Sequence, residues 1–241
     1  MTQLSGALQI VAQDLYTSSS TQQHVLGELA YTPDGRGFRY ALNAGTAMVP
    51  GKLYQSAAED TTNHQDLTCS ITSAGATSIT TTSTVTLSAN DLAGGYLVVT
   101  SATAGAGQVA RIKSHAAASG AVVTFNLEDP LKIATTGTVK IDVHPGAYKK
   151  VVVAPTTATG IPVGVAVHAV AANEYGWLQT HGMAPCLAQG AVTVGDNVVP
   201  ANTTTTGTVV ADADATIDAI IAIAPQGIAT TEYGLIFLTI D

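Results

Sequence analysis

Apolar residues alternate with small polar residues in two stretches of the chain that are near copies of each other. Residues 163–181 and 221–239 align without a gap at an offset of 58. Each consists of an apolar run, a short turn, the tripeptide Glu-Tyr-Gly and a second apolar run. This order predicts a β-hairpin that occurs twice. Residues 189–199, and more loosely residues 44–54, predict further short strands around Gly-containing turns.

The pattern changes in the middle of the chain. Residues 67–145 contain at least five short apolar or Thr-rich runs separated by turns every 8–12 residues, which is typical of a separate all-β module. Residues 55–66 are polar and aperiodic, as in a linker. We therefore predict an all-β fold, a small β-barrel or sandwich base with repeated hairpins and an inserted β-module. Its segments are an extended N-terminal arm (1–26), the first part of the base with the linker (27–66), the inserted module (67–145) and the second part of the base (146–241).

Composition indicates a subunit that assembles with other protein. Charged residues make up 11% of the chain, against about 25% in an ordinary soluble domain. Hydrophobic residues make up 46%, which is too many for a disordered chain. A surface with so few charges is poorly protected against self-association.

Charge is distributed unevenly between the two parts of the chain. All nine Lys and Arg residues lie between Arg36 and Lys150. Residues 1–150 also contain ten acidic residues, so this part of the chain is nearly neutral. Residues 151–241 contain no basic residue and seven acidic ones, a formal charge of −7. Nucleic-acid binding requires a basic surface. We therefore expect no nucleic-acid partner.

Candidate catalytic and metal-binding groups are weak. His64 with Glu59, Asp60 and Asp66, and the trio Asp212, Asp214 and Asp218, have side chains that could bind a metal, but we interpret them as solvated polar residues because fixed ligand spacing is missing. His144, His168 and His181 are expected to pack or form hydrogen bonds. Because no nucleophile or zinc-protease motif is present either, we expect no enzyme activity, no metal and no cofactor.

Cys69 and Cys186 are the two cysteines of the chain. We expect two reduced, partly buried thiols, with a disulfide between them as the alternative. No apolar run approaches the roughly 18 residues that a membrane span requires, so no membrane partner is expected.

The two Glu-Tyr-Gly tripeptides, at 174–176 and 232–234, are the identical part of the repeat. Two interpretations remain open. Tyr175 and Tyr233 could be equivalent contacts with a partner, since Tyr is enriched at interfaces. Alternatively, each Tyr packs over its own Gly.

Several stretches resemble the capsid decoration, or cement, proteins of tailed phages. They are residues 28–45, 161–166, 189–200 and 232–238, which share the small Ala-, Gly- and Val-rich strands of that family. The resemblance covers the base and not residues 67–145. It implies a non-enzymatic virion protein on the capsid exterior, made in the host cytoplasm, which binds the major capsid protein, stabilises the expanded shell and forms trimers.

We expect the interface to include apolar, aromatic and arginine side chains of the arm, the first hairpin and the two Glu-Tyr-Gly corners: Leu4, Leu15, Tyr16, Tyr31, Arg36, Phe38, Arg39, Tyr175, Trp177 and Tyr233. The arm could add a strand to a capsid sheet. In that case, removing residues 1–26 weakens capsid attachment without unfolding the protein.

Two other functions remain open. A tail or head-fibre component that binds host-surface glycans would carry clustered exposed aromatic residues, whereas aromatic residues are 5% of this chain. A cell-surface β-protein would require a secretion signal, and the first basic residue here is Arg36. Both alternatives therefore rank below the capsid protein.

Overall fold

The computed structural model describes residues 8–9, 12–202, 204–212 and 219–241. Strands account for 42% of the chain and helices for 3%, so the all-β prediction is confirmed. The chain forms two compact units, each of which is described by itself. The base unit consists of Met1–Ala58 and Ala147–Asp241, and the inserted unit consists of Glu59–Gly146.

The elements follow one another in three groups. The base unit begins with β1 (Leu8–Gln9), the helical turn α1 (Ala12–Leu15), β2 (Leu29–Tyr31), β3 (Gly37–Leu42) and β4 (Leu53–Gln55). The inserted unit contains α2 (Thr61–His64), β5 (Leu67–Cys69), β6 (Ser78–Thr80), β7 (Val85–Leu87), β8 (Tyr96–Ser101), β9 (Val109–His115), β10 (Ala118–Ala121), β11 (Thr124–Leu127) and β12 (Val139–His144). The chain returns to the base unit with β13 (Val152–Val153), β14 (Pro162–Ala166), β15 (Tyr175–Leu187), β16 (Asn197–Pro200), β17 (Val209–Ala211), β18 (Ala222–Ile223) and β19 (Tyr233–Thr239).

The inserted unit is built on a six-stranded antiparallel sheet in the order β5-β12-β8-β9-β11-β6, and β7 pairs with β10. Its core follows the period-two pattern of the sequence, as β12 shows: Val139, Ile141 and Val143 are buried, and the residues between them are partly exposed. Phe125, in β11, is the largest fully buried side chain of this core.

The unit begins earlier than the sequence pattern predicts. Residues 59–66, interpreted above as linker, carry α2, which Asp60 caps by accepting hydrogen bonds from the Thr62 and Asn63 backbone N–H groups. The side chain of Asn63 in turn accepts a hydrogen bond from the backbone of Thr86 at 2.8 Å. These hydrogen bonds are formed by polar side chains, so the hydrophobic pattern of the sequence does not predict that residues 59–66 are ordered.

The base unit is a nearly closed, barrel-like sheet of eleven strands. It is assembled from two copies of one five-strand module. The first copy, module A, contains β3, β4, β13, β14 and β15, and the second, module B, contains β15, β16, β17, β18 and β19. The 13 residues of β15 belong to both modules: the first half of the strand pairs with β3, and the second half pairs with β19.

Strand register shows that the two modules are equivalent. In module A, Val165 pairs with Gln179, and in module B, Ile223 pairs with Phe237, so both residues are shifted by 58. Val153 of β13 and Ala211 of β17 also differ by 58, and they pair with Tyr54 and Val198. Tyr54 and Val198 differ by 144, because the inserted unit lies between β4 and β13. The predicted duplication of the hairpin therefore extends to a whole module. The inserted unit occupies the connection between β4 and β13, which in module B is the short segment 201–208.

The modules have matching cores. Eight buried residues of module A form one cluster: Ala41, Met48, Tyr54, Val151, Val163, Ala166, Val170 and Leu178. Their counterparts in module B, in the same order, lie together in a second cluster: Cys186, Val192, Val198, Val209, Ile221, Ala224, Ile228 and Ile236. The two modules share their strand register and their set of inward-facing positions, which accounts for the repeated pattern in the sequence.

The N-terminal segment is not an extended arm in the part of the chain that the structure describes. Leu15 is fully buried against the base unit in a cluster with Phe38 and Trp177. Ser19 and Tyr175 exchange two backbone hydrogen bonds, of 3.1 and 2.9 Å. The prediction of an arm ordered by a neighbour is therefore wrong for residues 12–26, because apolar side chains of this segment fill the base unit's own cluster. Residues 1–7 and 10–11 lie outside the described residues.

Candidate interaction surface

One outward face of module B is apolar. We call it the open face, and it consists of seven side chains on three adjacent strands: Met183, Pro185 and Leu187 of β15, Tyr233, Leu235 and Phe237 of β19, and Ile223 of β18. The opposite side of the same strands faces the core, as the buried residues Ala184, Ile236 and Leu238 show. The seven side chains are neighbours across the three strands. Met183 lies opposite Phe237, Pro185 opposite Leu235, Leu187 opposite Tyr233, and Ile223 opposite Phe237.

Five of these side chains keep a large exposed fraction: Tyr233 56%, Ile223 46%, Met183 43%, Leu235 40% and Phe237 39%. An antiparallel sheet with one face on a core normally carries polar residues on the other face. Here the seven positions contain no charged residue. Together they expose on the order of 500 Å² of apolar surface, within the size range of patches that mark interaction sites.

The equivalent face of module A is covered. Phe38, Tyr40, Tyr175 and Trp177 occupy the positions of Met183, Pro185, Tyr233 and Leu235. Leu15 and Leu26 pack over them. The ring of His24 lies 5.1 Å from that of Tyr40 and 5.2 Å from that of Trp177. The segment that covers this face is the chain immediately before β2 and β3.

Module B has no such segment because β15 is shared. In module A the chain approaches β3 from residues 12–31, which fold back over the face. In module B the strand equivalent to β3 is the second half of β15, and the chain enters it directly from the first half of the same strand. The chain therefore has no free segment at this point to cover the second face.

The ten predicted interface residues fall into distinct environments. Leu15, Phe38 and Trp177 are buried in the base unit, so the prediction that they contact a partner is wrong, since their surface is used within the chain. Tyr175 is half-buried and stacks on Tyr40 with ring centroids 5.9 Å apart. Leu4 lies outside the described residues.

The remaining predicted residues lie at the surface. Arg36 pairs with Asp34 and lies over the ring of Phe38 at 5.6 Å, and Arg39 pairs with Asp241 at 2.8 Å. Tyr16 is exposed, and Tyr31 is exposed beside Gly37. Tyr233 belongs to the open face. The other six members of that face were missed because β19 carries apolar residues at both alternate sets of positions, which is also the pattern of a strand buried on both faces.

In the two Glu-Tyr-Gly corners the Gly residues have equivalent surroundings, whereas the Tyr rings contact different residues. A Cβ added to Gly176 would lie 2.6 Å from Val170, and one added to Gly234 would lie 2.5 Å from Ile228, which is the equivalent residue. The Gly is therefore needed for close approach to the core. The two Tyr rings have different neighbours: the ring of Tyr175 stacks on Tyr40, and the ring of Tyr233 lies against Gly51.

Polar groups proposed above as weak metal ligands have other partners. Asp66 pairs with Lys140 at 2.6 Å, and a hydrogen bond from Asn63 lowers the pKa of Asp60. Burial lowers the pKa of His64. Among the described residues, no group of three His, Cys, Asp or Glu side chains could hold a metal ion. Asp214 and Asp218 lie outside those residues.

Two of the three histidines that were expected to pack contact aromatic rings. The ring centroid of His181 lies 5.4 Å from that of Phe237, at the border of the open face. The ring of His168 lies edge-on to Tyr16 at 6.3 Å, and burial lowers the pKa of His168. His144, at the end of β12, is exposed.

The cysteines lie in different units, and both are buried and free, which confirms the prediction of two reduced thiols. Burial raises the pKa of Cys69 and of Cys186 to about 12. Because the thiolate is the reactive form, we expect neither to react with a thiol reagent in the native protein at pH 8. Both react once guanidinium unfolds the chain, and a fast-reacting thiol in the native protein would contradict this burial.

Over the described ranges, no helix has the length and apolar character needed to cross a membrane. Comparison with known proteins adds no relative: no protein-family model, no curated protein and no solved structure matches the chain.

Proposed function

We propose that the protein is a virion structural protein that binds the outer surface of an icosahedral phage capsid and stabilises the expanded shell. The observation that carries the proposal is the open face. A module whose outward sheet face presents seven apolar side chains and no charge is suited to a subunit of an assembly, in which another subunit, either the capsid protein or a second copy of this chain, buries that face. The resemblance to phage decoration proteins supplies the setting.

Physical properties of the base unit support this role. Its nearly closed sheet leaves few free edges, so copies crowded on one particle are protected from uncontrolled strand pairing. Many copies on one particle would gain stability collectively from individually weak contacts. The formal charge of −7 in residues 151–241 suits a position on the capsid exterior, away from packaged DNA. The proposed partners are the major capsid protein and other copies of this chain.

The proposal is tested by co-sedimentation of the purified protein with capsids that lack it, in their expanded and unexpanded forms. We expect the protein to pellet with expanded shells, to saturate at a fixed number of copies, and to raise the temperature at which those shells break. Expanded capsids that leave the protein in the supernatant would overturn the proposal. Binding to host cells or glycans instead would favour the fibre component.

A further inference from the structure

We propose that the open face of module B is a self-association surface that docks the open face of a second copy of this chain. This inference deepens the proposed function, on which it rests for its virion setting. It names the partner that covers one particular surface. The contact is symmetric, with β15, β18 and β19 of each copy stacked against the same strands of the other.

Module A shows how a face of this kind is covered within one chain. Four aromatic positions of the equivalent face of module A pack in one cluster with Leu15 and Leu26, which shows that a preceding segment of the chain can cover such a face. Those residues cannot also cover module B of the same molecule, because Leu15 is already fully buried on module A. Among the described residues no other segment covers the open face, since five of its side chains remain 39–56% exposed, and a second copy of the chain can supply the cover.

The chemistry of the open face restricts which surface can cover it. A partner surface for seven uncharged apolar side chains must itself be apolar and free of unpaired charge, since burying an unpaired charge is costly. The open face of a second copy meets this requirement on all seven positions. It is also a sheet face, and two sheet faces stack at about 10 Å with their side chains interdigitated.

The open face has an area suited to a contact between two copies. Two open faces of about 500 Å² each would bury about 1,000 Å² together, which is where specific interfaces begin. A symmetric contact of one patch with itself closes after two copies, so it gives a defined pair rather than a filament. The area thus fits a reversible dimer, in contrast to the trimer that the family resemblance implies.

The contact has a characteristic salt dependence. Glu232 is exposed directly beside Tyr233, so pairing brings acidic residues of two negatively charged modules near each other at the rim. Salt screens this repulsion. We therefore expect the dimer to become tighter as ionic strength rises, whereas a contact driven by opposite charges would become weaker.

The test measures the mass of the full chain by sedimentation equilibrium at tens of micromolar, in low and high salt. We expect a dimer for the natural sequence. L235D should raise the dissociation constant at least about 100-fold, because two carboxylates would face each other in a desolvated contact. L235T, which keeps strand propensity, should raise it about 10-fold through lost apolar area.

The matched control is I161D, which places the same charge at a 59% exposed apolar position of the base unit outside the open face. We expect it to dimerise normally. The fluorescence of Trp177 and thermal melting show whether each variant is folded. A monomeric natural protein, a trimer, a dimer that L235D and L235T leave intact, or one that salt weakens would overturn the inference.

Capsid binding is measured on the same proteins, so the two proposals can fail separately. A dimer that does not pellet with capsids leaves the self-association surface in place and removes the capsid function. A natural protein that is monomeric alone but pellets with capsids removes the self-association surface and keeps the capsid function. The open face is then assigned to contact with the capsid protein.

Discussion

Replacing Leu15 with alanine is expected to lower the free energy of unfolding of the base unit by about 2–5 kcal/mol, the usual cost of truncating a fully buried Leu. Leu15 is 0% exposed and packs with Phe38 and Trp177. Because Trp177 is the single Trp of the chain, urea unfolding followed by Trp fluorescence reports on this cluster.

The matched control is V25A, in the same segment but at an exposed side chain. We expect it to change the stability by less than about 0.5 kcal/mol. Deleting residues 1–26 should have a larger effect than L15A, because it uncovers the aromatic face of module A. This reverses the expectation, drawn from the sequence, that the deletion leaves folding intact. A truncated protein with an unchanged Trp177 transition would restore the free-arm interpretation.

Replacing Gly234 with alanine is expected to destabilise the base unit by about 1–3 kcal/mol, the usual cost of overpacking a core. The added methyl group would lie 2.5–2.7 Å from three carbons of Ile228, which is buried. The same change at Gly176 meets Val170 at 2.6 Å and should behave alike.

Two further variants isolate the cause. Adding I228A to G234A removes the carbons that the new methyl group would meet, so the double variant should be less destabilised than the sum of the single variants. G45A places a methyl group where no atom lies within 4 Å, and we expect it to be nearly neutral. Additive effects of G234A and I228A in urea unfolding would show that close packing is not the reason for the Gly.

The duplication of the base was predictable from the sequence for a physical reason. Each copy of the hairpin requires alternating inward residues, a turn, and a Gly that faces the core. These features depend on residues close together in the sequence, so both copies carry them at the same spacing. Asn173 and Thr231 show this: both have a positive φ, of 60° and 66°, one residue before the Glu-Tyr-Gly corner. The boundary of the inserted unit was less predictable, because Asp60 and Asn63 stabilise it through polar hydrogen bonds.

The candidate site depended on tertiary structure. The sequence shows that β15 and β19 are apolar, but a period-two pattern does not reveal which element covers each face. Which face is covered depends on packing between residues far apart in the sequence. Leu15 contacts the cluster of Trp177, more than half the chain away. The strand β15 belongs to both modules, so no separate segment precedes its second half and covers the face there. The sequence by itself therefore determined the repeated β-module and its inward residues, and only the tertiary structure decided that the outer face is covered in one module and open in the other.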